Sequence, residues 1–403
     1  MSDPLRVRVV GPLGPYVEGF RDDLARRGYP PSTVALHLQL MGHLSRWLAG
    51  RGLVASALTP AMVDGYLIER RAARYVGHRT ARAFQPLLAY LRRREVVAEP
   101  PAPDATAVEA LLARYACYLA GERGLAETTI LRNVDLVRPF LADRDKAGGV
   151  DLDRLDAGEV TAFVVGQCRD VRGGSAPRMV TALRSLLRFL YVEGLIDRPL
   201  ATAVPPVAAW KLTGLPKALH ADQVAALLAS CDQSTTVGRR DLAILTVLVR
   251  LGLRAGEVAA LRLDDIDWRL GEITVRGKGN RYERLPLPAD VGQVIVAYLS
   301  ADHPAATAAG REMFGRVRAP RGALTRLAVT QIVARAARRA GLGSFYAHRL
   351  RHTAATGMLR AGGSLVEIGQ VLRHRHTLTT AIYAKVDVDT LRALARLWPV
   401  GAT

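Results

Sequence analysis

The chain has 403 residues, enough for two or three domains, and its 49% apolar content is ample for packed cores. Lys and Arg number 56 against 37 Asp and Glu, giving a net charge of +19 and a pI near 10.6. Arginine recurs along the whole chain, which suits a long polyanion such as DNA or RNA, although an arginine-favouring GC-rich genome accounts for a share of the excess.

Cys117, Cys168 and Cys231 are too scattered for a zinc site or a disulfide framework, so neither metal nor cofactor is expected. The opening MSDPLRVRVV lacks the apolar core of a signal peptide, and the longest apolar run, 242–249, is far too short to span a bilayer. A cytoplasmic protein without membrane contact is the expectation.

Residues 14–97 read as all-helical. Tyr16, Phe20 and Leu24 recur at helical spacing until Gly28 and Pro30-Pro31 end that element. Ser32-Thr33 is placed to cap a helix to about Leu48, and Thr59 to cap another through Ile68. Phe84, Leu87, Leu88 and Leu91 line the apolar side of a fourth helix over about 79–94. AEPPAPDATA, 98–107, is a Pro/Ala-rich linker.

After that linker the pattern restarts. RGLAETTI at 123–130 echoes RGYPPSTV at 27–34, LDAGEVTAFV at 155–164 echoes LTPAMVDGYL at 58–67, and LLRFLYVEGLI at 186–196 echoes LLAYLRRREVV at 87–97. Three echoes in one order at a nearly constant offset predict a duplicated helical domain, 1–97 and 108–200, with a period too long for a solenoid. A second linker, 201–219, carries Pro205-Pro206, Gly214 and Pro216.

The region 220–403 has another texture. A helix is predicted over 223–230, and a strongly apolar one over 241–251 closed by Gly252. A strand at 271–277, the turn Gly277-Lys278-Gly279-Asn280 and a returning strand at 281–287 make a hairpin, and helices dominate again from Thr330. This is α/β with a small antiparallel sheet, not a βαβ alternation.

The chemistry gathers near the C-terminus. If 349–361 is helical, His348 and Arg351 share one face near its start, where an anion is favoured. His374 follows, then Tyr383, a phenol that could be brought to the same anion. Upstream, LGLRAGEVAALRLDDID presents Arg254 and Glu257 after the Gly252 break, and VRGKGNRYERLPLP presents Lys278 at a hairpin tip. Taken singly, each reads more readily as a solvated or packed side chain. His352, beside Arg351, reads as a packing or supporting residue, His376 fits the spacing to Tyr383 less well than His374, and Tyr346 and Tyr282 read as packing residues.

By these residues, strongly over about 215–390, the chain resembles the tyrosine site-specific recombinases of the phage integrase family. Arg254 matches the arginine of GLR-x-x-E, Lys278 the hairpin lysine of GKGN, His348 and Arg351 the H-x-L-R-H motif continued by HTAAT, His374 the second histidine, and Tyr383 the nucleophile in TTAIYAKV. The resemblance implies two tandem helical SAM-like DNA-binding domains followed by a catalytic domain at 220–403. One departure stands out: where the family has Leu-Gly-His, this chain has Leu372-Arg373-His374, which predicts an altered backbone just before His374.

The resemblance also implies a role for each residue. Arg254 and Arg351 hold the non-bridging oxygens of a scissile phosphodiester, His374 donates a further bond, Tyr383 attacks phosphorus, His348 takes its proton, Lys278 protonates the leaving 5′-oxygen, and Glu257 steadies the site. The product is a 3′-phosphotyrosyl link that strands can rejoin from without ATP or metal. Double-stranded DNA and a homotetramer on two duplexes are the implied partners, with 388–398 amphipathic enough to dock into a neighbour; chromosome-dimer resolution, phage integration and transposon movement all fit, and the second helical domain favours a mobile element. A type IB topoisomerase shares the chemistry, and a non-catalytic DNA-binding regulator is the reading from another class.

Overall fold

The computed structural model describes residues 7–72, 80–99, 106–146, 149–170, 176–207, 218–277, 281–302, 311–373, 380 and 382–383. They build three separate hydrophobic cores and a small fourth one.

The first core is closed by four helices, α1 (Val17–Arg26), α2 (Pro31–Ala49), α3 (Pro60–Ala72) and α4 (Gln85–Arg93). Phe20, Leu24, Leu38, Met41, Leu88 and Leu91 pack at its centre. The predicted Ser32-Thr33 cap is not used: Pro30 is the extended N-cap, and Pro31 opens α2 with a ring-fixed φ and no N–H to satisfy. Thr59 does cap α3, its hydroxyl accepting from the Met62 amide at 3.2 Å.

The second core lies within α5 (Ala107–Gly121), α6 (Glu127–Ala142), α7 (Ala157–Asp170) and α8 (Ala176–Val192), with a two-residue-per-strand hairpin, β1 (Asp145–Lys146) and β2 (Gly149–Val150), added between α6 and α7. The echoes seen in sequence reappear as backbone geometry. Gly28 and Gly124, at matching places, are both left-handed, with φ of 79° and 54°. So are Glu95 and Gly194 after the last helix of each set, with φ of 57° and 65°. In both the next amide turns back to the helix, Val96 to Leu91 at 3.0 Å and Leu195 to Leu190 at 2.8 Å. Each core also holds a tilted aromatic pair with centroids 5.4 Å apart, Phe20–Tyr90 in one and Tyr115–Phe189 in the other.

The third core belongs to α9 (Ala221–Ala229), α10 (Thr236–Leu251), α11 (Ala255–Ala260), α12 (Ala289–Asp302), α13 (Arg326–Arg339) and α14 (Ala347–Arg360) with a three-stranded sheet; α15 (Leu365–Val371) follows α14. The sheet is an antiparallel meander of β3 (Ile266–Asp267), β4 (Glu272–Arg276) and β5 (Tyr282–Pro286), in which Ile273 sits opposite Ile266 on one side and Leu285 on the other. The β4–β5 hairpin agrees with the sequence reading. β3, with two residues, is too short to leave an alternating pattern. α10 is buried almost all round, as its apolar run requires, and even its charged pair Arg240 and Asp241 is buried and mutually bonded, with Nη2 to Oδ1 at 2.6 Å.

By contacts the chain divides into two compact units, residues 100–213 and residues 1–99 with 214–403. Inside the latter, the Arg321 amide donates to the Arg27 carbonyl at 2.9 Å, so the turn after α1 meets the loop ahead of α13. Among the described residues no helix is long and apolar enough to cross a membrane.

Candidate active site

The site is organised by the end of α10. An apolar helix that must stop inside a core needs a left-handed closing residue, and Gly252 supplies it with φ of 59°. A Cβ there would lie 2.7 Å from Leu372 Cδ2 and 3.3 Å from Ala354 Cβ, so glycine is also what lets α14 and the end of α15 approach. The freed Gly252 carbonyl accepts from Arg351 Nη1 at 2.6 Å, and the Leu372 carbonyl accepts from Arg351 Nη2.

Arg351 is thus only 2% exposed, a buried cation oriented by two carbonyls. Burial, and then the neighbouring Arg254 charge, lower its pKa to about 10, which leaves it protonated at neutral pH.

Arg254 stands two residues past Gly252, as the extended N-cap of α11. Glu257, three residues on, accepts from the Arg254 amide at 2.8 Å through Oε2 and from Arg254 Nη1 at 2.7 Å through Oε1. Burial works against the charge of Glu257, yet the Arg373 charge and the Arg254 amide and guanidinium hold its carboxyl below the usual range. The Arg254 side chain remains 43% exposed. Three guanidiniums therefore surround one buried carboxylate, with Glu283 at the edge, 3.9 Å from Arg373 Nε.

The first turns of α14 carry the histidines. His348, Arg351 and His352 fall on one side because residues three and four apart are helical neighbours. The His348 and His352 rings meet edge to face with centroids 4.5 Å apart. His348 is open to solvent at the surface but has protein packed around it; that desolvation, then the Arg351 and Arg254 charges, lower its pKa. His352 lies deeper, and desolvation, then His348 and Arg351, lower its pKa to about 4.

His352 is the imidazole that reaches the tyrosine, with Nδ1 2.9 Å from the Tyr383 hydroxyl. Tyr383 is 1% exposed, packed with Ala355, Ile368 and Leu372 in the small fourth core. Burial raises its pKa and the Arg351 charge pulls it part of the way back.

Of the residues singled out in sequence, Arg254, Glu257, His348, Arg351 and Tyr383 come together here. Lys278 and His374, like His376 and the 388–398 segment, lie outside the described residues. Two further residues lie in this cluster. His352, which the sequence offers as a packing or supporting residue, reaches Tyr383, and its place one turn from His348 was a usable signal. Arg373 was read only as the loss of a glycine. Its φ of 55° is left-handed, a conformation that glycine adopts freely, and its guanidinium turns inward to Glu257 at 2.6 Å. Among the described residues no group of His, Cys, Asp and Glu gathers as a metal site.

Two family models match the chain, "Phage integrase family" over residues 217–389 and "Phage integrase, N-terminal SAM-like domain" over 112–194. The Sinorhizobium fredii protein y4rA, which carries an integrase/recombinase name, is 41% identical over 394 residues, spanning 96% of this chain and 95% of its own. Tyrosine recombinase XerD of Mycobacterium tuberculosis is 32% identical over 295 residues, 69% of this chain and 93% of its own. Among solved structures, XerH site-specific recombinase in a post-cleavage complex with palindromic difH substrate shares the fold at a TM-score of 0.56 and 18% identity, over 74% of this chain and 99% of that one. A lambda integrase tetramer bound to a Holliday junction does so at 0.53 and 18%, over 77% and 86%.

Proposed function

The chain belongs to the phage integrase family of tyrosine recombinases, and from that premise we propose that it exchanges DNA strands through a covalent bond to Tyr383. The observation that carries this reading is the meeting of Arg254, Arg351, a histidine pair and Tyr383 at the closing turn of α10, from distant parts of the sequence.

The scissile phosphate enters with its non-bridging oxygens on Arg254 and Arg351. Two guanidiniums meet the charge that grows there in the transition state, and Arg351, with its pKa lowered only to about 10, keeps its proton at neutral pH. The Tyr383 oxygen bonds to phosphorus as the bond to the 5′-oxygen breaks. The phenolic proton leaves to an imidazole. His352 Nδ1 is already 2.9 Å away, which favours His352 as the immediate acceptor, with His348 in ring contact behind it. The 5′-oxygen leaves as a hydroxyl on receiving a proton from Lys278, and His374 adds a donor to the phosphate; both roles come from the family resemblance. The 3′-phosphotyrosyl ester conserves the phosphodiester bond energy, so a 5′-hydroxyl of a partner strand reverses the step without ATP.

We assign the chain three domains, 1–97 and 108–200 as helical DNA-binding domains and 220–403 as the catalytic domain, joined by linkers at 98–107 and 201–219. Two duplexes held by a homotetramer are the proposed working assembly, by analogy with the lambda integrase tetramer. The helical domain ahead of the one matched as SAM-like offers extra DNA contacts, which favours a mobile element as the source of the site.

A suicide DNA substrate tests the reading. Wild type should form a covalent protein–DNA adduct and Tyr383→Phe none; an adduct that survives the substitution would overturn the nucleophile assignment. Relaxation of a supercoiled plasmid lacking any recombination site would instead point to topoisomerase activity.

A further inference from the structure

Arg373 occupies a place where an L side chain is disfavoured, with φ of 55°, and the family pattern puts glycine there. A neutral replacement on the surface would leave its side chain in water. Here the side chain is 3% exposed and both terminal nitrogens are hydrogen-bonded, while the buried Nε has no hydrogen-bond partner. Nη2 donates to Glu257 Oε2 at 2.6 Å, Nη1 donates to the Val371 carbonyl at 3.2 Å, and Nε faces Glu283 at 3.9 Å.

The preceding residue is equally committed, since the Leu372 carbonyl accepts from Arg351. Residues 372 and 373 therefore touch both arms of the arginine pair, one directly and one through Glu257. Glu257 is buried and needs a cation close by. If Arg254 were its sole counter-ion, the carboxylate would hold that guanidinium inward, in competition with an incoming phosphate. A second, buried cation shares that duty, Arg373 bonding Oε2 while Arg254 Nη1 keeps Oε1 at 2.7 Å.

We propose that Arg373 is a positioning residue of the arginine clamp: through Glu257 it sets the Arg254 guanidinium for the phosphate, and by its own anchorage it fixes the segment that leads into His374. This rests on the reading of Arg254 and Arg351 as a phosphodiester clamp.

The test compares Arg373→Gly, Arg373→Lys and Arg373→Gly/Glu257→Gln in full-length protein on the suicide substrate, with DNA affinity measured separately. Arg373→Gly should slow single-turnover cleavage tenfold or more while DNA affinity stays within twofold. Arg373→Lys, which keeps a cation beside Glu257, should stay within about threefold of wild type, and adding Glu257→Gln to Arg373→Gly should cause no further loss. Wild-type cleavage by Arg373→Gly, a multiplicative loss in the double variant, or a parallel loss of DNA affinity and melting temperature would each overturn the proposal. An absent wild-type adduct would sink the functional reading instead. Arg373 is then decided by a crystal structure of Arg373→Gly, where an unmoved Arg254–Glu257 pair and Leu372 carbonyl would overturn its role.

Discussion

The two halves of the site are held in opposite ways. The arginine half is a charged lattice, in which Arg351 hangs between two carbonyls and Arg254 and Arg373 share the Glu257 carboxylate. The tyrosine half is neutral and apolar, with one phenol in a small hydrophobic core and one hydrogen bond to a histidine whose pKa has fallen to about 4. The charged half is held in place by hydrogen bonds to each of its guanidiniums. In the neutral half, burial favours the protonated phenol of Tyr383. The halves are coupled electrostatically: the Arg351 charge partly offsets the burial of Tyr383.

The largest effect is expected from breaking the charged half. Arg351→Ala should lower single-turnover cleavage by about 100- to 1,000-fold, roughly 3–4 kcal/mol of transition-state stabilisation, with DNA binding retained. It should also lower the melting temperature, because the Gly252 and Leu372 carbonyls lose their buried donor. Loss of binding with unchanged chemistry on saturating DNA would make Arg351 a docking residue only.

The neutral half is broken by acid. His352 titrates near 4 when folded and near 6.5 when unfolded, so the unfolded chain takes up the proton first as pH falls. The stability that His352 contributes is complete above pH 6.5 and is lost between 6.5 and about 4, on the order of 3 kcal/mol. His348, lowered in the same direction, adds to the slope. Melting curves from pH 7.5 to 4 should show that slope flattened in His352→Asn, and an unchanged slope would mean that the imidazole is not held neutral by its surroundings. The same variant should cut cleavage by about 100-fold if His352 takes the phenolic proton.

A smaller effect sharpens the boundary between the halves. Gly252→Ala places a methyl against Leu372 and Ala354 in a left-handed backbone and should cost about 1–3 kcal/mol of stability by denaturant titration. Because Gly252 carries the Arg351 anchor, cleavage should fall along with stability, whereas DNA affinity at low salt should hold.

Much of this molecule was legible before folding was considered. Apolar periodicity located helices of the first core, and the echoes RG…T and LL…L marked places where the backbone repeats its left-handed turns at Gly28 and Gly124 and at Glu95 and Gly194. The separation of Arg254 from Arg351 and Tyr383 was bridged by motif resemblance, not by periodicity, since no local pattern encodes contact between distant segments. Local patterns also misled. Ser32-Thr33 had the chemistry of a cap, but the proline before it had already fixed the start of α2.

What the sequence determined by itself was the inventory: helical periods, the hairpin, the Gly252 stop and the set of charged and nucleophilic side chains. These depend on residue type and near neighbours. The tertiary structure decided which of them are partners. Only burial could hold His352 as a neutral imidazole beside Tyr383, and only the approach of α15 to the end of α10 could turn Arg373 from a missing glycine into a counter-ion of Glu257. Desolvation and long-range contact set those roles, and neither is written in any short stretch of the chain.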